Sequence, residues 1–88
     1  ISRVRTAMFV WLPDNTGALH QVTNIISSIC QINIACLHSI PLGKQSRYAF
    51  YIEVNGGKPE PGIEKMLRLL QKTVERLEFL GSFPVFEI

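Results

Sequence analysis

The apolar residues of this chain change their spacing from two to about 3.6 and back, twice, and that alternation fixes the order of its elements. From Ser2 to Leu12, one face carries Val4, Thr6, Met8, Val10 and Leu12 and the other Arg3, Arg5, Ala7, Phe9 and Trp11, which is the period of a strand. Pro13-Asp14-Asn15-Thr16-Gly17 is a turn with three side chains able to cap a helix. From Ala18 the spacing turns helical: Ala18, Val22, Ile25, Ile26 and Ile29 share a face opposite Gln21, Asn24 and Ser28. Asn33 to Ile40 returns to a strand pattern, and Pro41 to Ser46 has the length of a hairpin loop. Arg47 to Val54 alternates again, with Tyr48, Phe50, Ile52 and Val54 on one face. After the breaker-rich loop from Asn55 to Gly62, the spacing predicts a second helix from Ile63 to about Arg76, with Ile63, Met66, Leu67, Leu70 and Val74 inward. Leu77 to Phe83 predicts a last strand, ended by Pro84.

The order β-α-β-β-α-β, with right-handed crossovers, implies a ferredoxin-like α+β fold: a four-stranded antiparallel sheet with two helices on one face. The chain has 88 residues, room for a single domain over 1–88. One sheet face is then covered and the other bare. The bare face carries Ala7, Phe9, Trp11, Ala49, Tyr51 and Glu53, an aromatic patch that either a larger parent protein or a second copy would cover. The chain begins at Ile1 rather than Met, which suggests a piece of a larger protein.

Composition excludes several classes. Apolar residues are 47% and charged residues 18%, the balance of a folded domain rather than a disordered one. A net charge of +2 with no run of like charge is only weak evidence for nucleic acid as a partner. Asn15 to Gly43 has no Lys, Arg, Asp or Glu, yet Gln21, Asn24, Ser27, Ser28, Gln31 and Asn33 interrupt it, so no membrane span is expected. Cys30 and Cys36 lie six apart, neither a redox nor a metal spacing, and two free thiols fit a reducing, cytoplasmic setting. No short window around His20 or His38 assembles a nucleophile, a base and an orienting group. No catalytic residue, metal site or cofactor is expected in this domain.

One turn carries more information. Asp14-Asn15-Thr16-Gly17-Ala18-Leu19 delivers a strand into the N-terminus of a helix, where unpaired N–H groups favour a carboxylate. Gly17 allows close approach to the backbone, and Asp14 and Asn15 offer oxygens to an ammonium group. A free amino acid has both groups. The same residues also describe an ordinary capped helix. An RNA-binding module is the alternative from another class, since the RNA-recognition motif shares this strand order and stacks bases on the bare face. Phe9, Trp11 and Tyr51 stand in such places, but Tyr48 follows Arg47 where that motif has glycine, and Glu53 puts a negative charge among the stacking positions.

Asp14-Asn15-Thr16-Gly17-Ala18-Leu19 resembles the D/N-x-P-G-A-L segment of the ACT domain, a small regulatory module of amino-acid metabolism. Asn33-Ile34 with Leu37-His38-Ser39-Ile40-Pro41 resembles the N-(I/L)-x-x-I-E-S-R-P segment of the branch carried by prephenate dehydratases and aromatic amino-acid hydroxylases. Tyr48 to Val54 is similar to that branch's E-Y-x-F-F-V-D strand, and Leu80-Gly81-Ser82-Phe83-Pro84 to the L-G-S-Y-P ending of prephenate dehydratases. The resemblance runs from Arg5 to Pro84. It implies a non-catalytic regulatory domain with the catalytic domain of a parent enzyme, a prephenate dehydratase (a lyase), as partner; the alternative parent is an enzyme such as an aromatic amino-acid hydroxylase. It further implies that L-phenylalanine binds where two ACT domains meet, in a homodimer or larger assembly, for feedback control. Carried over by position, the effector site is Asp14, Asn15, Thr16, Gly17, Ala18 and Leu19 with His38, Ser39, Ile40 and Pro41. His38 stands where the pattern has Glu, Ile40 where it has Arg, and Thr16 where it has Pro. Binding is therefore expected to use backbone groups near Gly17 to Leu19 and Ser39, with an apolar wall of Leu19, Ile40 and Pro41.

Overall fold

A computed structural model of the chain describes residues 2–13, 17–42 and 47–86. Its elements are β1 (Ser2–Pro13), α1 (Ala18–Asn24) continued by a π-helical segment (Ile25–Ile29), β2 (Ile34–Pro41), β3 (Arg47–Asn55), α2 (Pro61–Thr73) and β4 (Arg76–Phe86). The four strands form one antiparallel sheet in the order β2-β3-β1-β4. Met8, Val10 and Leu12 of β1 and Ile52 and Val54 of β3 face Val22, Ile25 and Ile26 of the first helical segment and Ile63, Met66 and Leu70 of α2 in one buried core. The expected ferredoxin-like α+β arrangement is the one present.

Three local expectations are corrected. Ile29 does not join the inner face; it is 51% exposed. The Cys30 N–H donates to the Ile25 carbonyl and the Ile32 N–H to the Ile26 carbonyl, both at 2.9 Å, so the turn is wider than an α turn. The extra residue per turn rotates Ile29 outward, and Cys30 and Ile32 pack against the core instead. The second helix stops at Thr73, short of Arg76: Val74 is extended, and the Glu75 N–H donates to the Trp11 carbonyl at 3.1 Å. Pairing with β1 takes over where a further helical turn would have continued. Pro84 does not end β4, which runs on to Phe86. β4 has a single neighbour, β1, and an edge strand tolerates a residue without an N–H.

A small polar node inside this apolar core sets how the elements close. Thr6 is fully buried on the inner face of β1. Its hydroxyl donates to the Gly56 carbonyl at 2.7 Å and lies 2.8 Å from the Ser82 hydroxyl, which in turn accepts the Lys58 N–H at 3.0 Å. With one proton per hydroxyl, the chain of donation runs from Lys58 through Ser82 and Thr6 to Gly56. It ties β1, β4 and the loop before α2 together. Ser82 reaches the node because β4 carries a bulge opposite Ala7 and Met8, where Gly81 takes φ +146°, a backbone state that side chains rarely permit. Thr6→Val keeps the shape and removes the hydroxyl, leaving Gly56 and Ser82 short of a partner. Urea unfolding is expected to show a loss of about 1–3 kcal/mol. Combined with Ser82→Ala, the two losses should fall short of their sum.

Candidate functional site

β1 ends at Pro13, and the chain re-enters described structure at Gly17, the N-cap residue of α1. Gly17 has φ +102°, which a residue with Cβ would strain to adopt, and its carbonyl accepts the Gln21 N–H at 2.9 Å. No side chain caps this helix among the described residues; the capping position falls to glycine rather than to Asp14, Asn15 or Thr16. The N–H groups of Ala18, Leu19 and His20 precede the first intrahelical bond and have no helical acceptor. Beside the start of α1 lies a groove of about 350 Å³ lined by Leu12, Pro13, Ala18, Leu19, Ser39, Tyr48 and Phe50. Cross-strand register builds it: Leu12 pairs with Tyr48 and Val10 with Phe50, while Ser39 pairs with Phe50 and Pro41 with Tyr48. The Tyr48 and Phe50 rings stand 6.1 Å apart at 35° to each other. The groove thus offers helix-start N–H groups, two hydroxyls and a wall of two rings with Leu12, Pro13 and Leu19.

The residues expected from sequence divide into three groups. Ala18, Leu19 and Ser39 line this groove, with Gly17 at its helix start and Pro41 beside Tyr48. Asp14, Asn15 and Thr16 lie outside the described residues. His38 and Ile40 do not join the groove. They pair with Tyr51 and Ala49 and so point to the opposite face of the sheet. The wall of this groove is formed by Tyr48 and Phe50, which the motif comparison matched to a family strand without assigning them to the site. Their common face was legible from alternation; their meeting with Ser39 depends on the register of β2 against β3. A second groove, of about 330 Å³ between α2 and β4, includes Lys58, Arg68 and Phe79 and none of the expected residues.

On the open face, Phe9 lies 6.0 Å from Trp11 and 5.5 Å from Tyr51 between ring centroids, and the Arg76 guanidinium sits 4.6 Å over the Trp11 ring. Glu53 joins this cluster through both oxygens. Its Oε2 accepts the Tyr51 hydroxyl at 2.6 Å, and its Oε1 lies 3.3 Å from an Arg5 nitrogen. The hydrogen bond to Glu53, with burial and the carboxylate's charge in support, pushes the Tyr51 phenol from 10.0 to about 12. Cys30 and Cys36 are both free and half-buried, and no group of three metal-ligating side chains occurs among the described residues. Nor is any described helix long and apolar enough to cross a membrane. Because the folded chain holds the phenolic proton more tightly than the unfolded one, the pair's contribution to stability is whole below pH 10.0 and is lost as pH rises through about 12. Absorbance titration near the phenolate band should find one tyrosine titrating late, and Glu53→Gln should return it toward its ordinary value.

No family model matches the chain. The bifunctional chorismate mutase/prephenate dehydratase of Aquifex aeolicus is 30% identical over 81 residues, covering 91% of this chain and 22% of that protein. The prephenate dehydratase of Arthrobacter aurescens, solved in complex with L-phenylalanine, matches with a TM-score of 0.81 and 27% identity, over 90% of this chain and 26% of that one. A quorum-quenching acylase matches with a TM-score of 0.86 over 94% of this chain and 43% of its own; at 24% identity that likeness shows a common fold. The ACT domain of a GTP pyrophosphokinase from Chlorobium tepidum shows the same, with a TM-score of 0.63 and 13% identity over 94% of this chain and 99% of that domain. This chain spans about a quarter of the length of the dehydratases it matches. It has the fold of ACT domains and, along about nine-tenths of its length, resembles one segment of prephenate dehydratases.

Proposed function

We propose that this chain is a non-catalytic regulatory domain that binds an aromatic amino acid, L-phenylalanine, and gives feedback control of a cytoplasmic prephenate dehydratase. The observation that carries this reading is the groove: it brings Ala18 and Leu19 of one motif beside Ser39 of the other, under the Tyr48 and Phe50 rings. The chemistry of each part suits one part of the ligand. The carboxylate takes the first N–H groups of the helix, with its positive dipole end behind them. The ammonium takes oxygens of Ser39 and of the Asp14-Asn15-Thr16 turn. The phenyl ring lies against Tyr48, Phe50 and Leu19, where ring-on-ring geometry adds to simple burial. The groove is open on one side, and a second copy meeting the first along Ile34 to Ile40 closes it. Phenylalanine then favours one arrangement of the assembled enzyme over another, by no more than its difference in affinity for the two. The dehydratase from Arthrobacter aurescens, solved with L-phenylalanine, supports this choice of ligand.

Titration calorimetry of the 88-residue chain tests the reading. L-Phenylalanine should bind saturably and D-phenylalanine far more weakly. Tyr48→Ala should weaken binding about threefold to tenfold, the worth of one aromatic contact. His38→Glu with Ile40→Arg should change it by about twofold at most, since both residues sit across the sheet from the groove. Tight binding of single-stranded RNA without any response to phenylalanine would refute the proposal.

A further inference from the structure

The groove between α2 and β4 shares no residue with the groove beside α1. Its makeup follows from the two elements that form it. Glu64, Leu67, Arg68 and Gln71 recur at helical spacing along one face of α2, and Leu77 and Phe79 alternate on the helix side of β4. Leu67 is buried and Leu77 half-buried, so the floor is apolar. Phe79 stands opposite the buried Met8, yet 36% of its surface is exposed, because β4 is an edge strand.

Two cations flank that floor. The Lys58 N–H donates to the Ser82 hydroxyl at 3.0 Å, and the Lys58 ammonium lies 4.8 Å from the centre of the Phe79 ring. The buried Thr6 node thus anchors the backbone from which this cation reaches the groove. Arg68 is exposed on the α2 side. Among the described residues neither cation has a carboxylate within ion-pair distance, whereas Arg5 and Arg76 do. Glu64 precedes Arg68 by one turn without pairing with it; its place in the first turn of α2 is accounted for by the positive end of that helix. Two cations and one acid leave the groove net positive over an apolar floor, which suits a monoanion with an apolar body. A zwitterionic amino acid is a poorer match, since its ammonium would meet Lys58 and Arg68. A volume of about 330 Å³ lies at the lower end for small-ligand sites, room for one ring and a short chain.

We propose that this groove binds an aryl carboxylate that has no ammonium group. The ring lies on Leu67 and Leu77 beside Phe79, where contact between rings adds to burial. The carboxylate takes the planar fork of Arg68, with the Lys58 ammonium as its second cation. The site does not depend on amino-acid binding beside α1.

Hydrocinnamate is the probe, titrated into the isotope-labelled 88-residue chain with and without excess L-phenylalanine. The amide resonances of Arg68, Leu77 and Phe79 should shift saturably, with the same midpoint in both titrations. Neutral hydrocinnamide should bind about tenfold more weakly, or less, for want of the charge-assisted bonds. Arg68→Gln and Lys58→Gln, two exposed positions, should each weaken hydrocinnamate about fivefold or more. Glu64→Gln should tighten it about twofold by removing a like charge. No saturable shift at these resonances overturns the proposal, and so does equal binding of acid and amide. Shifts confined to Ala18, Leu19 and Ser39 that excess L-phenylalanine abolishes would place the probe in the other groove and overturn it too. A blocked acidic peptide that shifts Arg68, Leu77 and Phe79 where hydrocinnamate does not would assign the groove to a protein partner instead. A chain that ignores L-phenylalanine leaves all these readings unchanged, so the two proposals fail separately.

Discussion

Strand β1 is paired along both edges, with β3 from Arg5 to Pro13 and with β4 from Ser2 to Trp11, and every other element takes its place from that strand. Its side-chain period of two gives each face a different task. Met8, Val10 and Leu12 point to the helices and leave no water around them. Ala7, Phe9 and Trp11 point the other way and leave an aromatic surface half-covered. Thr6 is the single buried polar residue of the described core, and its hydroxyl joins β4 to the loop before α2. A slip of one residue in this strand would place Thr6 on the open face and Phe9 in the core, so the register is enforced by energy on both sides.

The element order was legible because each amphipathic run keeps a single period for several residues. What escaped were points where the tertiary structure overrides local pattern. Ile29 fits a helical face, yet the π-helical segment turns it out. Val74 fits the last turn of a helix, yet the backbone leaves to pair with Trp11. Pro84 reads as a stop, yet β4 has a free edge and runs past it. The candidate site was legible in pieces. Gly17 to Leu19 and Ser39 were found by motif, and nothing in their separate stretches shows that β3 brings them together. His38 and Ile40 lie on the face opposite the groove, for a reason visible in sequence: four consecutive residues of a strand cannot all line one groove, because alternate side chains point to opposite faces.

The two faces of β3 carry the two surfaces that matter. Tyr48 and Phe50 form a wall of the groove, while Ala49 and Tyr51, one residue along from each, belong to the open face. Glu53 then fixes the Tyr51 ring through its hydroxyl, so that the aromatic cluster has a defined edge rather than a mobile one. The acid that puts a negative charge on this face is the same one that holds its tyrosine in place.

The two free edges of the sheet are unlike. β4 is broken by a bulge, by Gly81 in a positive-φ state and by Pro84, which has no N–H to offer. β2 has no Lys, Arg, Asp or Glu from Ile34 to Pro41 to discourage a neighbour. Strand addition is at bottom a problem of chain growth. A unit with two receptive ends makes a ribbon of indefinite length, whereas a unit with one receptive end adds a single mate and terminates. Of the two described edges, only β2 is left unguarded, so growth along the sheet would have no second end from which to continue.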